Sequence, residues 1–486
     1  MLRAPTWRSA LAKARQASNS GGGSATRSLL VLALAVLCTW PAATSSDVGA
    51  TRTAVSETEK SSRPSTTGEP PATPKAGADQ GFPAPLDPEQ CRASRHTSCY
   101  SVQQIRTAYG LDRPAAERLT GKGVTIVTGI GVIPPTLQHD LDVFSDHFGL
   151  PRTRLEFAYE EGASPFDPQD HPAHLEAILD VSALHAMAPR AKIVVVGVPV
   201  VPGDLAATLP EGYIQAIEQD RGDVLSMSWN DFEASLERRN PGLSEGSKAL
   251  ARLRRPLVEA AARGVTLVAS SGDYGGLAPS AGALWPAADP LVTAVGGTVL
   301  HLDRAGRRTR PDSAWDASTG GLSRWFPRPA YQDPVAGITG GRRSEPDVGM
   351  FAGPFWVYNS ADPEQAGWRL APGGTSLAAP LFAGVVALAN EAAGHRLGPA
   401  GPALYRSAGD VRRAGLVDVD TGRSDRNAHP DRPAPPEPAG WRGYPARRGY
   451  DLVTGLGTLT DSGRLVHALS RGDARPRRTC GGGPEQ

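Results

Sequence analysis

Cysteine is scarce in this chain, with 4 among 486 residues, so a disulfide-stapled scaffold is excluded as its main source of stability. Cys91 and Cys99 lie close enough to close one small loop in an oxidising compartment, Cys38 falls in an apolar run near the start, and Cys480 is left over in the tail. A surplus of either charge is also missing, since 51 Lys plus Arg face 50 Asp plus Glu. That balance gives no reason to expect nucleic acid or an anionic membrane as a partner. Internal repeats are absent. Long apolar runs are rare, and Leu29 to Cys38 is well short of the roughly 20 residues a membrane-spanning helix needs. No later segment is expected to cross a bilayer.

The first residues carry Arg3, Arg8, Lys13, Arg15 and Arg27 with no acidic side chain before Leu29, and small residues from Pro41 to Ser45 follow the apolar run. This order predicts a signal peptide over 1–45 and a secreted, extracellular protein. An uncleaved anchor or a lipid-modified Cys38 is the competing reading, which Leu37 before that cysteine fits poorly. Residues 46–88 are rich in Ser, Thr, Pro, Ala and Gly and are predicted to be a disordered linker. The Arg- and Gly-rich end, 471–486, reads as a disordered tail.

Between them, 89–470 has the composition of a folded domain, in a chain that is 40% hydrophobic. Apolar runs at Val124–Thr128, Ile193–Val198, Val224–Trp229, Val265–Ser270 and Leu291–Val295 read as strands buried on both faces. Segments of helical length, Pro172–Met187 and Lys248–Arg263, alternate with them. The alternation predicts an α/β domain with a doubly wound, mainly parallel sheet flanked by helices.

Gly373-Gly374-Thr375-Ser376-Leu377-Ala378-Ala379-Pro380 precedes a run of small and apolar residues ending at Asn390. A serine at such a helix start can be a nucleophile, because adjacent glycines admit a substrate and the free N–H groups favour developing negative charge. The plainer alternative is that Ser376 merely caps the helix. A histidine base of the subtilisin kind would sit in a His-Gly-Thr context, yet none of the 10 histidines is followed by glycine. In the corresponding region stand Glu176 and Asp180, four apart and so about 6 Å apart on one helical face. Exposed, they would be an ordinary solvated face. Buried, they can share a proton and hold one member as a base. Asp273, in Ser271-Gly272-Asp273-Tyr274-Gly275, follows a strand where a subtilisin places an asparagine that donates to the oxyanion. An aspartate does this only when protonated, and the alternative is a plain turn residue.

With these motifs in place, the chain from Tyr100 to about Thr454 resembles the sedolisin, or serine-carboxyl peptidase, family. Further matches are Tyr100 to Leu111, Val224 to Trp229, Trp285-Pro286-Ala287, Thr293 to Thr298, Thr319 to Pro327 and Pro346-Asp347-Val348. The resemblance implies a subtilisin-like fold and a secreted endopeptidase, with Ser376 as nucleophile, Glu176 as general base, Asp180 as its proton-sharing partner and Asp273 as oxyanion donor. A tripeptidyl aminopeptidase of the same family and a catalytically inactive peptide-binding homologue are the alternatives. The implied partners are peptides or denatured proteins, met by a monomer with no nucleic acid and, after signal cleavage, no membrane.

The family also carries one structural calcium ion, and its site resembles Val417 to Gly422 together with Arg448 to Asp451. Asp418, Val419, Arg447, Gly449 and Asp451 are the implied ligands, a set of hard oxygen donors. Three departures stand out. Arg447 occupies a usual glycine position, Asn230 replaces the usual glycine after Ser228-Trp229, and Thr128 stands where many relatives have an acid. A linker also takes the place of the family's long folded prosegment.

Overall fold

Buried strand residues alternate between two cores: Ile193 and Val195 face one, Val194 and Val196 the other. A sheet of this kind needs cover on both faces. The computed structural model describes residues 82–95, 97–159, 163–167, 169–198, 219–425 and 441–471, all in the second of two units, Pro74–Gln486. The signal peptide expected over 1–45 with Cys38, most of the linker expected over 46–88, and the tail beyond Arg471 with Cys480 lie outside the described residues.

The central strands are β1 Thr125–Ile130, β2 Leu155–Tyr159, β3 Lys192–Gly197, β4 Val224–Met227, β5 Thr266–Ser270, β6 Val292–Val299, β7 Val348–Phe351, β8 Leu416–Val417 and β9 Thr458–Leu459. Their order is β8-β9-β7-β6-β5-β4-β1-β3-β2. Neighbours run parallel except at the β8 edge, which is antiparallel to β9. Ser313–Ala314 adds a short antiparallel strand to β6. All five strands expected from apolar runs are in this sheet, with β6 running on to Val299.

The principal helices are α1 Pro88–Arg95, α2 Val102–Ala108, α3 Leu137–His147, α4 His171–Met187, α5 Lys248–Ala262, α6 Thr375–Ala393 and α7 Ser462–Ser470. Helix α5, capped by Ser247, buries Leu250, Leu257 and Ala260 on one face of the sheet. On the other face α6 packs between the sheet, α4 and α7. Gly384 permits the close approach of α6 to α4, because a Cβ there would meet the Met187 Cβ at 2.5 Å. By length and composition α6 could cross a membrane, contrary to the expectation that no segment after Cys38 could, yet 78% of its most apolar window is buried in this core. Apolarity on every side is what a helix enclosed by protein requires.

The N-terminal strap is pinned to the domain. Cys91 and Cys99, both fully buried, form a disulfide with Cα atoms 6.0 Å apart. Phe82, within the stretch expected as linker, pairs with Trp368 and packs edge-on against Trp356, while Arg95 lies over its ring. Ordered packing thus begins ahead of residue 89, where the domain is expected to start, because this ring finds aromatic partners.

Candidate active site

The period-2 alternation of β1 places Thr128 on the same face as Ile126 and Ile130, toward α4 and α6. In β4, Val224 faces the same way, and the alternation carries Ser226 and, just past the strand end, Ser228 to that face. Between these strands and α6 lies Asp180, with no exposed surface. Its Oδ2 accepts the Thr128 hydroxyl at 2.9 Å and its Oδ1 accepts the Ser228 hydroxyl at 2.7 Å. Glu176, one turn earlier on α4, is half-buried. Burial pushes the Asp180 carboxyl well above the ordinary carboxylate range, the Glu176 charge pushes it further, and the Ser228 and Thr128 hydrogen bonds oppose both.

Helix α4 points into this region because its start is well defined: the Asp170 side chain accepts from Ala173 N–H at 3.2 Å, and Pro172 lies in the first turn. Ser376 is the second residue of α6 and is partly exposed. The N-cap is Gly374, with no side-chain cap, so Ser376 is not a capping serine. Its hydroxyl donates to the Ser228 carbonyl at 2.9 Å. One residue, Ser228, therefore touches the nucleophile candidate with its backbone and Asp180 with its side chain.

Asp273 follows β5 and is 8% exposed. Its Oδ1 accepts both the Thr375 N–H, at 2.8 Å, and the Thr375 hydroxyl, at 2.7 Å, while that hydroxyl accepts from Gly272 N–H at 3.0 Å. The other oxygen, Oδ2, lies against Gly374, where a Cβ would stand 2.5 Å from it; the backbone there has φ of 106°. Glycine at 374 thus serves both the turn into α6 and the approach of the carboxyl.

The residues expected to hold calcium gather at one end of the sheet. Asp418 follows β8 and accepts Gly449 N–H at 2.7 Å. Asp451 accepts Arg447 N–H at 2.8 Å on Oδ2, and Val453 N–H at 2.9 Å and Thr454 N–H at 2.8 Å on Oδ1. Burial raises the Asp451 carboxyl to about 6 despite these backbone donors. Val419 is buried and sits between them in sequence. Two carboxylates that meet the same 447–449 segment, one of them buried, fit a hard cation. Among the described residues no group of three His, Cys, Asp or Glu suited to a metal occurs, so carbonyls would complete the set.

The fold thus connects Ser376 with Asp180, sets Glu176 beside Asp180, and ties Asp273 to the residue preceding Ser376. The contacts of Thr128, Ser228 and Thr375 are not foreseen in the sequence. A signal for two of them exists there, because hydroxyl residues interrupt otherwise apolar buried strands. A cleft of about 470 Å³ opens at the start of α4, lined among others by Arg95, His171, Leu175, Asp362, Arg369 and Leu370.

A family model described as the Subtilase family matches residues 169–407. Kumamolisin from Bacillus sp. (strain MN-32) is 32% identical over 325 residues, covering 62% of this chain and 52% of that protein. Tripeptidyl-peptidase 1 from Homo sapiens is 31% identical over 262 residues, covering 48% of this chain and 41% of that protein. Tripeptidyl-peptidase SED4 from Arthroderma otae is 33% identical over 265 residues, covering 48% and 40%. The chain therefore spans about half the length of the curated relatives it matches. Among solved structures, Pseudomonas sedolisin, a serine-carboxyl proteinase complexed with pseudo-iodotyrostatin, superposes with a TM-score of 0.59 at 25% identity, covering 76% of this chain and 97% of that one.

Proposed function

We propose, for a chain that belongs to the sedolisin family and has a subtilisin-like fold, that it hydrolyses peptide bonds through an acyl-enzyme on Ser376. The observation that carries this reading is the run of contacts from the Ser376 hydroxyl through Ser228 to Asp180, the buried neighbour of Glu176. In the first step the Ser376 oxygen attacks the scissile carbonyl carbon and Glu176 takes the hydroxyl proton. Protonated Asp273 donates to the carbonyl oxygen as it becomes an oxyanion. The C–N bond breaks, Glu176 returns the proton to the departing amine, and water, deprotonated by the same carboxylate, releases the acid and restores Ser376.

Substrates in this reading are peptides or denatured proteins, cut internally by a secreted monomer at acidic pH. The partial exposure of Ser376 leaves its hydroxyl open to the carbonyl of a bound peptide. A tripeptidyl-peptidase is the second reading, favoured by the relatives that bear that name. Asp418, Val419, Arg447, Gly449 and Asp451 would hold one calcium ion, which would brace the C-terminal loops.

The test is a peptide library incubated with the purified protein at acidic and neutral pH, with the cuts mapped by mass spectrometry. Internal cuts that vanish in Ser376→Ala are expected, whereas serial loss of tripeptides would favour the second reading. No cleavage at any pH would overturn both.

A further inference from the structure

Asp180 is the most enclosed carboxyl of the site, and both its oxygens are met by neutral hydroxyls from two different strands. Thr128 Oγ1 is 2.9 Å from Oδ2, Ser228 Oγ is 2.7 Å from Oδ1, and the three residues are 0%, 6% and 0% exposed for Thr128, Ser228 and Asp180. The pairing of β1 with β4 brings the two donors to one face of the sheet, with Thr128 directly opposite Ser226. Left alone, a carboxyl buried beside a second carboxyl would hold its proton far above the working range of the pair. A donor on each oxygen favours the charged form.

We propose that Thr128 and Ser228 are positioning residues, a hydroxyl clamp that makes Asp180 an acceptor on both oxygens and so sets how readily the Glu176–Asp180 pair gives up its last proton. This inference rests on the reading of the pair as the site's proton carrier. It assigns a task to the fully buried hydroxyl of Thr128. A hydroxyl donates without adding charge, whereas a third carboxylate would raise the proton affinity of the pair further.

Several titratable groups on or near the elements packed against α4 are engaged elsewhere. Asp140 on α3 accepts from Thr136 at 2.9 Å and also from Ser360, Arg106 on α2 donates to the Ala186 carbonyl at 2.5 Å, and Asp362 lies 3.8 Å from His171. On α6, Glu391 accepts from Thr120 N–H and Gly121 N–H, at 2.7 and 2.6 Å. His185 is on α4 itself, near its far end, where burial lowers it to about 4. Glu176 is the charged group that acts on Asp180.

The clamp can be tested without turnover. Side-chain carboxyls carrying ¹³C are titrated by NMR in full-length Ser376→Ala protein, alone and combined with Thr128→Val, Ser228→Ala or Thr128→Ser. The last proton of the pair should leave about one pH unit higher in Thr128→Val and in Ser228→Ala. Thr128→Ser, which keeps the hydroxyl, should titrate like its parent. Should Thr128→Val not fold, Ser228→Ala carries the test alone. Unshifted titration in the folded variants would overturn the clamp, even if the parent enzyme cleaves peptides. A shifted titration in a protein whose wild type shows no cleavage would leave the clamp standing and remove the peptidase reading instead.

Discussion

Thr375 holds Asp273 by a single oxygen, giving Oδ1 both its N–H at 2.8 Å and its hydroxyl at 2.7 Å. Two donors on Oδ1 require that oxygen to be an acceptor, so a proton on this carboxyl belongs on Oδ2, the oxygen against Gly374. The residue that precedes the proposed nucleophile thereby orients the proposed oxyanion donor.

Asp273→Asn should therefore keep its amide oxygen on Thr375 and place its NH₂ where Oδ2 now lies. An amide donates at any pH, whereas the aspartate donates only while protonated. The wild-type profile of kcat/KM should be bell-shaped with an acidic optimum, and in Asp273→Asn some activity should survive with the falling limb moved upward. The limbs belong to a coupled set that includes Asp180. Asp273→Ala, with no donor, should lose about 10²–10³-fold in kcat. A wild-type plateau from about pH 7 to 9, the behaviour of a histidine base with its ordinary value of about 6.5, would mean that the carboxylates do not carry the chemistry.

Ser376→Ala should reduce cleavage by several orders of magnitude, because groups that act as a unit lose their joint effect together. Among the described residues the hydroxyl makes one bond, to the Ser228 carbonyl, so the melting temperature should stay near that of wild type. Glu176→Gln should be similarly impaired. Full turnover by either folded variant rules out its assigned role.

Much of this arrangement is legible in the chain before folding, for identifiable reasons. The apolar runs that form β1 and β3 to β6 are long enough to declare themselves, and Glu176 and Asp180 fall on one face of α4 by helical spacing alone. Strands β8 and β9 are two residues each and carry no period to read. The antiparallel hairpin of Phe355–Asn359 and Gly367–Ala371, which leads into the loop before Ser376, carries no turn signal singled out in the sequence. The hydroxyls on Asp180 are harder still. Their meeting depends on the register of β1 against β4 and on how far α4 settles onto both, which are tertiary facts.

Gly374→Ala tests the coupling between helix α6, which carries Ser376, and Asp273. The new Cβ would stand 2.5 Å from Asp273 Oδ2 on a backbone with φ of 106°, so both the turn and the carboxyl must move. A destabilisation of about 1–3 kcal/mol is expected from the strained conformation. The kcat should fall at least about 10-fold although Ser376 and Glu176 are untouched, since small displacements of an oxyanion donor are costly. Unchanged kcat in the folded variant would show that Asp273 need not stay in place for the reaction.

Asp451 gives the calcium proposal a pH signature. Its carboxyl is raised from an ordinary 3.8 to about 6, first by burial and against the pull of the Arg447, Thr454 and Val453 N–H groups. Without a cation, the folded state then holds the proton more tightly than the unfolded chain does. This contribution, about 3 kcal/mol at most, is complete below about pH 4 and is lost as pH rises through about 6. Calcium binds the ionised carboxylate and reverses that loss, adding about 2.7 kcal/mol at a hundredfold excess over its Kd. The measurement is thermal unfolding from pH 4 to 7, with calcium and with a chelator. The difference in melting temperature should be small at pH 4, widen through pH 6, and nearly vanish in Asp451→Asn, which lacks the charge at every pH. Coincident curves at pH 7, with negligible metal in the purified protein, would show that Asp418 and Asp451 hold no calcium and that the backbone donors alone satisfy them.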